Sequence, residues 1–519
     1  MEQQYIMAID QGTTGTTVLI LDFSQKPHKQ ILARSSTEFP QHFPKAGWVE
    51  HNLDEIWFSL QHSSVQAITI AQNTDPRFHP DKIASIGITN QRESICIWDQ
   101  KSGRPLRPAI IWQCRRGTVI CQSLRQSHDD VMIRQKTGLF TDPYFSGSKI
   151  LWLKKHEPET FKQVEKGHAV IGTIDTWLIS RLTAGKAFVT DASNASRTLL
   201  FNIHNASWDP ELCQLFGLKT QDKLAEVRDS AGFFGRTQGV GYLPDGIPIN
   251  GVLGDQQAAL AGQACFEAGQ TKCTYGTGAF LLSYTGKQAI FSTKGLLTTV
   301  SWKLNGELFY ALEGSAFIAG AAIQFMRDQL NFLQNASESE ELAAKAKGAP
   351  EIYFVPALTG LGAPWWNPEA RGAFLGLTRG TTKNQLIRAA LEAIAFQVCD
   401  LMDAAGENSP YRPDSLNVDG GGCSNPLLMQ IQANLANIVI KRHIHTETTA
   451  LGAGMFAALG CGIVKNIHDL SLFAARSQSY QPESSPANSA IRLSMLDGWR
   501  RALTAVEAFS KQKNKSGEK

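Results

Sequence analysis

Tyr5-Ile-Met-Ala-Ile-Asp10-Gln-Gly-Thr-Thr-Gly15-Thr-Thr-Val-Leu-Ile-Leu-Asp22 reads as a β-hairpin: two apolar runs flank a polar tip of glycine and threonine. Asp10 closes the first run. Glycine lets the backbone approach a bulky anion, and successive N–H groups with hydroxyls can cradle phosphate. A carboxylate beside that cradle is the kind of oxygen ligand that hydrated Mg²⁺ prefers. An ordinary Gly/Thr turn fits the same residues, so this stretch by itself leaves both readings open.

Outward from the hairpin, strand-like runs at residues 6–9, 18–21, 83–88 and 95–98 alternate with helical pattern. A helix is expected over 53–71, with Asn52 as its N-cap. A Gly/Pro-rich stretch at 232–249 leads into a strand at 247–253. Further strands are expected at 272–275, 279–284, 297–302 and 308–312, then helices at 315–330, 383–403 and 425–436. This alternation is an α/β pattern. Asp419-Gly-Gly-Gly422 follows an apolar run as Asp10 does, which suggests two related domains that each turn a phosphate-facing loop to a central cleft. Residues 510–519 carry no apolar side chain and are expected to be disordered.

Composition narrows the class. The chain has 519 residues, 43% hydrophobic and 19% charged, with a formal net charge of +3. That balance is ordinary for a folded enzyme and gives no footing for a nucleic-acid partner. Nine cysteines include no Cys-x-x-Cys pair, so neither a zinc site nor a disulfide framework is indicated. No apolar run is long enough for a membrane segment, and the chain opens without secretory features, so a cytoplasmic enzyme is expected.

Gly254-Asp255-Gln256-Gln257 ends an apolar run and precedes an Ala-rich helix. A carboxylate at such a junction sits at the mouth of an α/β sheet and can take a proton from an attacking hydroxyl, with Gln256 as a neutral neighbour. A helix cap is the alternative. Thr274-Tyr-Gly276-Thr277-Gly278-Ala-Phe280 is a second Gly/Thr turn. In Asn90-Gln-Arg92-Glu93, one side chain donates and the next accepts, as hydroxyl binding needs, although a surface ion pair is the plainer reading. Trp112-Gln-Cys-Arg-Arg116 and Tyr144-Phe145 offer aromatics for a small polyol pocket. Gly452-Ala-Gly454-Met-Phe-Ala457 spells Gly-x-Gly-x-x-Ala, but it lies inside a small-residue helix with no strand before it. Close helix packing explains it better than a dinucleotide site. Taken together, two or three Gly/Thr turns, one candidate base and a polar–aromatic pocket fit phosphoryl transfer to a small alcohol.

These residues resemble the FGGY carbohydrate kinases, and among them the glycerol-phosphorylating members most of all. The similarity runs from about residue 4 to 505. It rests on Asp10-Gln-Gly-Thr-Thr14, Gly87-Ile-Thr-Asn-Gln-Arg-Glu93, Trp112-Gln-Cys-Arg-Arg116, Asn194-Ala-Ser-Arg-Thr198, Gly254-Asp-Gln-Gln-Ala-Ala259, Tyr275-Gly-Thr-Gly278, Ala311-Leu-Glu-Gly314 and Val418-Asp-Gly-Gly421. The resemblance implies two ribonuclease-H-like domains of actin/hexokinase type flanking a catalytic cleft. It gives an N-terminal domain over 1–262, a nucleotide-binding C-terminal domain over 263–509 and the tail after it.

The implied reaction is ATP-dependent, Mg²⁺-assisted phosphorylation of glycerol to sn-glycerol 3-phosphate, with Asp255 as general base. Asp10 and Asp255 would hold the metal. Arg92, Glu93, Trp112, Tyr144, Asp255, Gln256 and Phe280 would bind glycerol. Thr13, Thr14, Gly15, Thr17, Thr277, Gly320, Gln324, Gly421 and Asn425 would line the ATP/ADP site. A homo-oligomer, dimer or tetramer, is implied as well. The chain departs from the pattern at Gly15-Thr16-Thr17, where members commonly carry Ser-Ser-Arg; the missing cation should weaken charge stabilisation. Two other readings stand beside this one: a sibling kinase for another polyol or a ketose such as xylulose, and a catalytically weak ATP-binding sensor or scaffold, which Thr17 alone supports.

Overall fold

The computed structural model describes residues 5–127, 129–346, 351–483 and 485–516. The opening hairpin forms as read. β1 (Tyr5–Gln11) and β2 (Gly15–Asp22) pair antiparallel, with Asp10 directly opposite Thr17. β3 (Ile31–Glu38), β4 (Ile83–Asn90), β5 (Ala231–Arg236) and β6 (Pro248–Gly254) complete a six-stranded sheet in the order β5-β6-β4-β1-β2-β3. β4 runs parallel to β1 and β6 parallel to β4, whereas β3 and β5 run antiparallel to their neighbours.

The second sheet comprises β7 (Thr271–Tyr275), β8 (Ala279–Gly286), β9 (Leu297–Leu304), β10 (Glu307–Ala316), β11 (Ser415–Asp419), β12 (Val439–His443) and β13 (Arg476–Tyr480). Its order is β9-β10-β8-β7-β11-β12-β13. With β9 set aside it repeats the first sheet: an antiparallel meander, two parallel strands and an antiparallel edge. The expected pair of related α/β units is therefore present, but the equivalence differs from the one suggested by the two Asp-Gly strand ends. The hairpin tip after Asp10 corresponds to the tip after Tyr275. Asp419 ends β11, the counterpart of β4, which ends in Asn90.

Period-two alternation gives each face of the first sheet its own partner. Met7, Ile9, Val18 and Ile20 pack toward α1 (Leu53–Thr74), whose N-cap Asn52 accepts from the Asp54 N–H. Ile6, Ala8, Leu19 and Leu21 pack instead with α2 (Asp255–Gly262) and with a helix from far along the chain, α6 (Thr448–Gly460). Before α6 come α3 (Gly320–Asp328), α4 (Lys383–Asn408) and α5 (Pro426–Ala436), and α4 and α5 share the core of the second sheet.

α6 is the helix of the Gly452–Ala457 motif. A Cβ added at Gly452 would collide with the Ala258 carbonyl, and one at Gly87 would collide with the Ala453 carbonyl. The small residues are thus there for backbone approach, as the packing reading required.

Two expectations change. The helix expected over 315–330 begins only at Gly320, because β10 continues to Ala316 to meet Ala279 of β8. The tail expected to be disordered from 510 starts inside α7 (Pro486–Ser516), which carries helical backbone to Ser516; residues 517–519 lie outside the described residues.

Candidate active site

Asp255 stands at the first turn of α2, immediately after β6, so the strand end aims it at the junction of the two sheets. Gly254, and not Asp255, is the N-cap residue; its N–H donates to the Ser193 hydroxyl at 2.8 Å. Asp255 Oδ1 accepts the Gln256 N–H at 2.7 Å and lies 2.9 Å from Nε of Arg92. Its carboxylate remains 29% exposed, whereas the Glu93 and Glu313 carboxylates around Arg92 are closed off.

That cluster locks the two halves together. Arg92 donates bidentately to Glu313, from Nη1 at 2.7 Å and from Nη2 at 2.8 Å. Arg197 donates to Glu93 at 2.6 Å, to Glu313 at 3.0 Å and to the Thr299 hydroxyl at 3.2 Å. Glu93 and Glu313 are both buried. Burial pushes the Glu93 carboxyl up, against the pull of Arg92 and Arg197. Burial would raise Glu313 as well, but Arg197 and Arg92 hold it down to about 2. Glu93 sits at φ +61°, a left-handed conformation that costs a non-glycine residue energy and that the surrounding pairs must enforce.

Asp10 is half-buried at the end of β1. Burial first, then the Asp255 and Glu447 carboxylates, pushes its carboxyl up to about 8. Glu447, the residue before α6, accepts from Nε of Arg34 at 2.8 Å. The hairpin tip itself is pinned by amides: Gln11 and Gln91 both donate to the Gly12 carbonyl, at 2.7 and 3.1 Å.

A polar–aromatic wall lies beside it. Trp112 donates from Nε1 to the Thr13 hydroxyl at 3.0 Å, and its ring meets Tyr144 edge-on at 5.6 Å between centroids.

Residues 5–262 match the N-terminal domain of the FGGY family of carbohydrate kinases, and residues 271–461 match its C-terminal domain. The chain belongs to the FGGY family of carbohydrate kinases. Among its relatives, the glycerol kinase of Enterococcus casseliflavus is 45% identical over 517 residues, covering 100% of both chains. That of Bdellovibrio bacteriovorus is 46% identical over 97% of this chain and 99% of its own. The solved Plasmodium falciparum glycerol kinase with ADP superposes with a TM-score of 0.89 at 34% identity, covering 97% of this chain and 98% of that one. A gluconate kinase from Lactobacillus acidophilus shares the fold at TM-score 0.86 and 23% identity, with coverage of 98% and 99%.

The other residues read from the FGGY motifs fall as follows. Gln256 follows Asp255 into α2. Phe280 lies on β8, opposite Thr274 and half-buried. Thr14 is exposed at the hairpin tip, Gly15 opens β2, and Thr17 places its hydroxyl 3.0 Å from that of Ser36. Thr277 is exposed in the second turn. That turn is tied to the start of α3, because Gly320 N–H donates to the Gly276 carbonyl at 2.9 Å and Ala321 N–H to the Thr277 carbonyl at 3.1 Å. Gln324 is exposed one turn further along α3. Gly421 is exposed with open space around it. Asn425 spends its side chain on local structure, capping α5 through the Leu428 N–H at 3.0 Å and reaching Ser339 at 3.3 Å.

Three charged residues in and beside the cluster are not singled out by the sequence. One of them, Lys272 of β7, donates to Gln256 at 2.6 Å. Arg197 and Glu313 lie inside quoted motifs but carried no assigned role, and Lys272 was read only as part of a strand. For Glu313 a signal was available, a charged side chain in an otherwise apolar strand, which is rare unless paired; Arg197, in a turn between Ser196 and Thr198, offered none.

The fit of a divalent cation can be judged from the donors. Asp10 and Asp255 repel one another and raise Asp10, so a cation between them would relieve both. Two carboxylates that leave the remaining positions to phosphate and water are the usual protein share of a Mg²⁺ site.

Proposed function

We propose that this protein transfers the γ-phosphoryl group of ATP to glycerol, giving sn-glycerol 3-phosphate and ADP, with Asp255 as the general base. The observation that carries the reading is the state of Asp255. It is a partly open carboxylate fixed at a helix start, paired on one oxygen with a buried arginine and facing a second carboxylate across the strand ends. The full-length likeness to glycerol kinases supports the choice of alcohol.

In this mechanism a terminal hydroxyl lies within reach of the Asp255 carboxylate. Its oxygen forms the new bond to γ-phosphorus, the bond to the ADP oxygen breaks, and the hydroxyl proton passes to Asp255. Arg92 holds the carboxylate fixed in direction, so little reorganisation is needed at the moment of transfer. Arg92, Glu93 and Gln256 offer donors and acceptors to the other hydroxyls, while Trp112, Tyr144 and Phe280 pack the carbon side. The N–H groups and hydroxyls of the two Gly/Thr tips, with Thr13 and Thr14 in one and Thr277 in the other, would receive the phosphates. Gly15, Thr17, Gly320, Gln324, Gly421 and Asn425 would border the nucleotide. Mg²⁺, held by Asp10 and Asp255, would neutralise phosphate charge.

Among the described residues no helix is long and apolar enough to cross a membrane. A cytoplasmic homo-oligomer accompanies this reading, and sedimentation of the purified protein tests the assembly. A coupled assay of ADP release over glycerol, dihydroxyacetone and xylulose, with product identification, tests the activity. Glycerol is expected to be turned over fastest; a faster pentulose would overturn the substrate, and no turnover with any of them would overturn the kinase reading.

A further inference from the structure

Lys272 is the second residue of β7 and is completely shielded from solvent. Its ammonium donates to Oε1 of Gln256 at 2.6 Å and to the Thr274 hydroxyl at 2.9 Å. Strand register explains why it points this way. Lys272, Thr274, Phe280 and Glu313 share the sheet face that meets α2, while Cys273 and Tyr275 turn to the opposite core. A buried ammonium is costly unless its protons are all directed at acceptors, so this contact needs a purpose beyond packing.

The purpose follows from hydrogen-bond inventory. An ammonium has donors only, and a primary amide has one acceptor atom and one donor atom. With Lys272 behind it, the Gln256 amide can present only its oxygen inward, since the reverse would set N–H against N–H. The amide nitrogen is then committed to the other side. It makes no hydrogen bond among the described residues, and Gln256 retains 9% exposure beside Asp255.

We propose that Lys272 is a positioning residue for polyol recognition: it fixes the Gln256 amide so that its nitrogen donates to a substrate hydroxyl next to the acceptor Asp255. This rests on the function proposed above. The pair Asp255–Gln256 becomes one acceptor beside one donor. Such a pair suits an alcohol, which does both, whereas an ammonium, which only donates, would leave the amide N–H without an acceptor. Thr274 anchors the same ammonium from the second half of the chain, so the orientation is set across the junction of the two sheets.

The test is a double-mutant cycle of Lys272→Met and Gln256→Ala, read as KM for glycerol and for ATP. Lys272→Met is expected to raise the glycerol KM at least tenfold and to leave the ATP KM within twofold. In the Gln256→Ala background the same substitution is expected to change the glycerol KM less than twofold. An additive cycle, or an ATP KM that rises as much as the glycerol KM, overturns the proposal. Gln256→Glu leaves Lys272 in place and keeps the test available if the methionine variant does not fold. Its carboxylate satisfies the ammonium but turns only an acceptor to the substrate, so the glycerol KM should again rise tenfold or more; an unchanged value overturns the proposal. Wild-type protein without polyol turnover refutes the activity, whereas an additive cycle in an active wild-type background refutes the role of Lys272 alone.

Discussion

Glu313→Gln is the substitution for which the structure gives the clearest number. Glu313 receives both outer nitrogens of Arg92 and one of Arg197, and all three side chains are at most 2% exposed. Removing its charge leaves two buried guanidiniums sharing Glu93 and the half-open Asp255. The carboxyl is held at about 2 against an ordinary 4.5, so its ionised form gains roughly 3 kcal/mol in the fold, at about 1.4 kcal/mol per pH unit of displacement. Breaking one side of a buried pair costs about 3–5 kcal/mol in general, so the two routes agree. Urea unfolding at pH 7 should therefore show a loss of about 3 kcal/mol. Because the folded value is depressed, this stability is fully present above about pH 4.5 and disappears as pH falls toward 2, so the gap between variant and wild type should close over that interval. Freed from Glu313, Arg92 should turn further onto Asp255 and weaken it as a base, lowering kcat by roughly tenfold. A destabilisation below about 1 kcal/mol at pH 7, or a gap that does not close in acid, would refute the clamp.

Three further outcomes are expected. Asp255→Asn should reduce kcat by roughly 10²–10⁴-fold while calorimetry still detects glycerol, since a base is lost but a polar contact remains; an unchanged kcat would rule out the base. Asp175 is buried, accepts from Thr190 at 2.6 Å, and is pushed up to about 7 chiefly by burial. Its raised value means wild-type stability declines by about 1.4 kcal/mol per pH unit from about 4 to 7 on this account. Asp175→Asn should therefore gain in thermal midpoint relative to wild type between pH 5 and 7, and a pH-independent difference would exclude this group. Thr17 lies opposite Asp10 and, among the described residues, its side chain pairs with the Ser36 hydroxyl alone, so Thr17→Arg should leave kcat unchanged or raise it; a severe loss would mean this face of the hairpin does not look onto the phosphates.

Local signals carried well where the neighbours in sequence are also the neighbours in space. The β1–β2 hairpin, the Asn52 cap of α1 and the packing use of Gly452 were all legible, because turn chemistry, capping and small-residue spacing act over a few positions. The extension of β10 to Ala316 was not, since its cause is a ladder partner at Ala279, on a strand that precedes β9. The cluster around Arg92 shows the same limit more sharply. A carboxylate in Tyr310-Ala-Leu-Glu-Gly314 announces that it needs a cation, but nothing local says that the cation is 221 positions away. Asp10 and Asp419 misled for the opposite reason: similar short strings end strands that occupy different places in their sheets.

The placement of α6 bears on how the protein is made. Its small residues press on β4 and α2 from a position beyond residue 447, so the inner face of the first sheet lacks this part of its cover during most of synthesis. A nascent chain paused after Gly262 carries Ile6, Ala8, Leu19 and Leu21 with α2 but without α6, and only the emergence of Gly460 completes their cover. The first half of the gene thus encodes a body that is completed only near the end of the second half. Premature stops, slow codons and chaperone capture upstream of α6 should all act on the same uncovered surface.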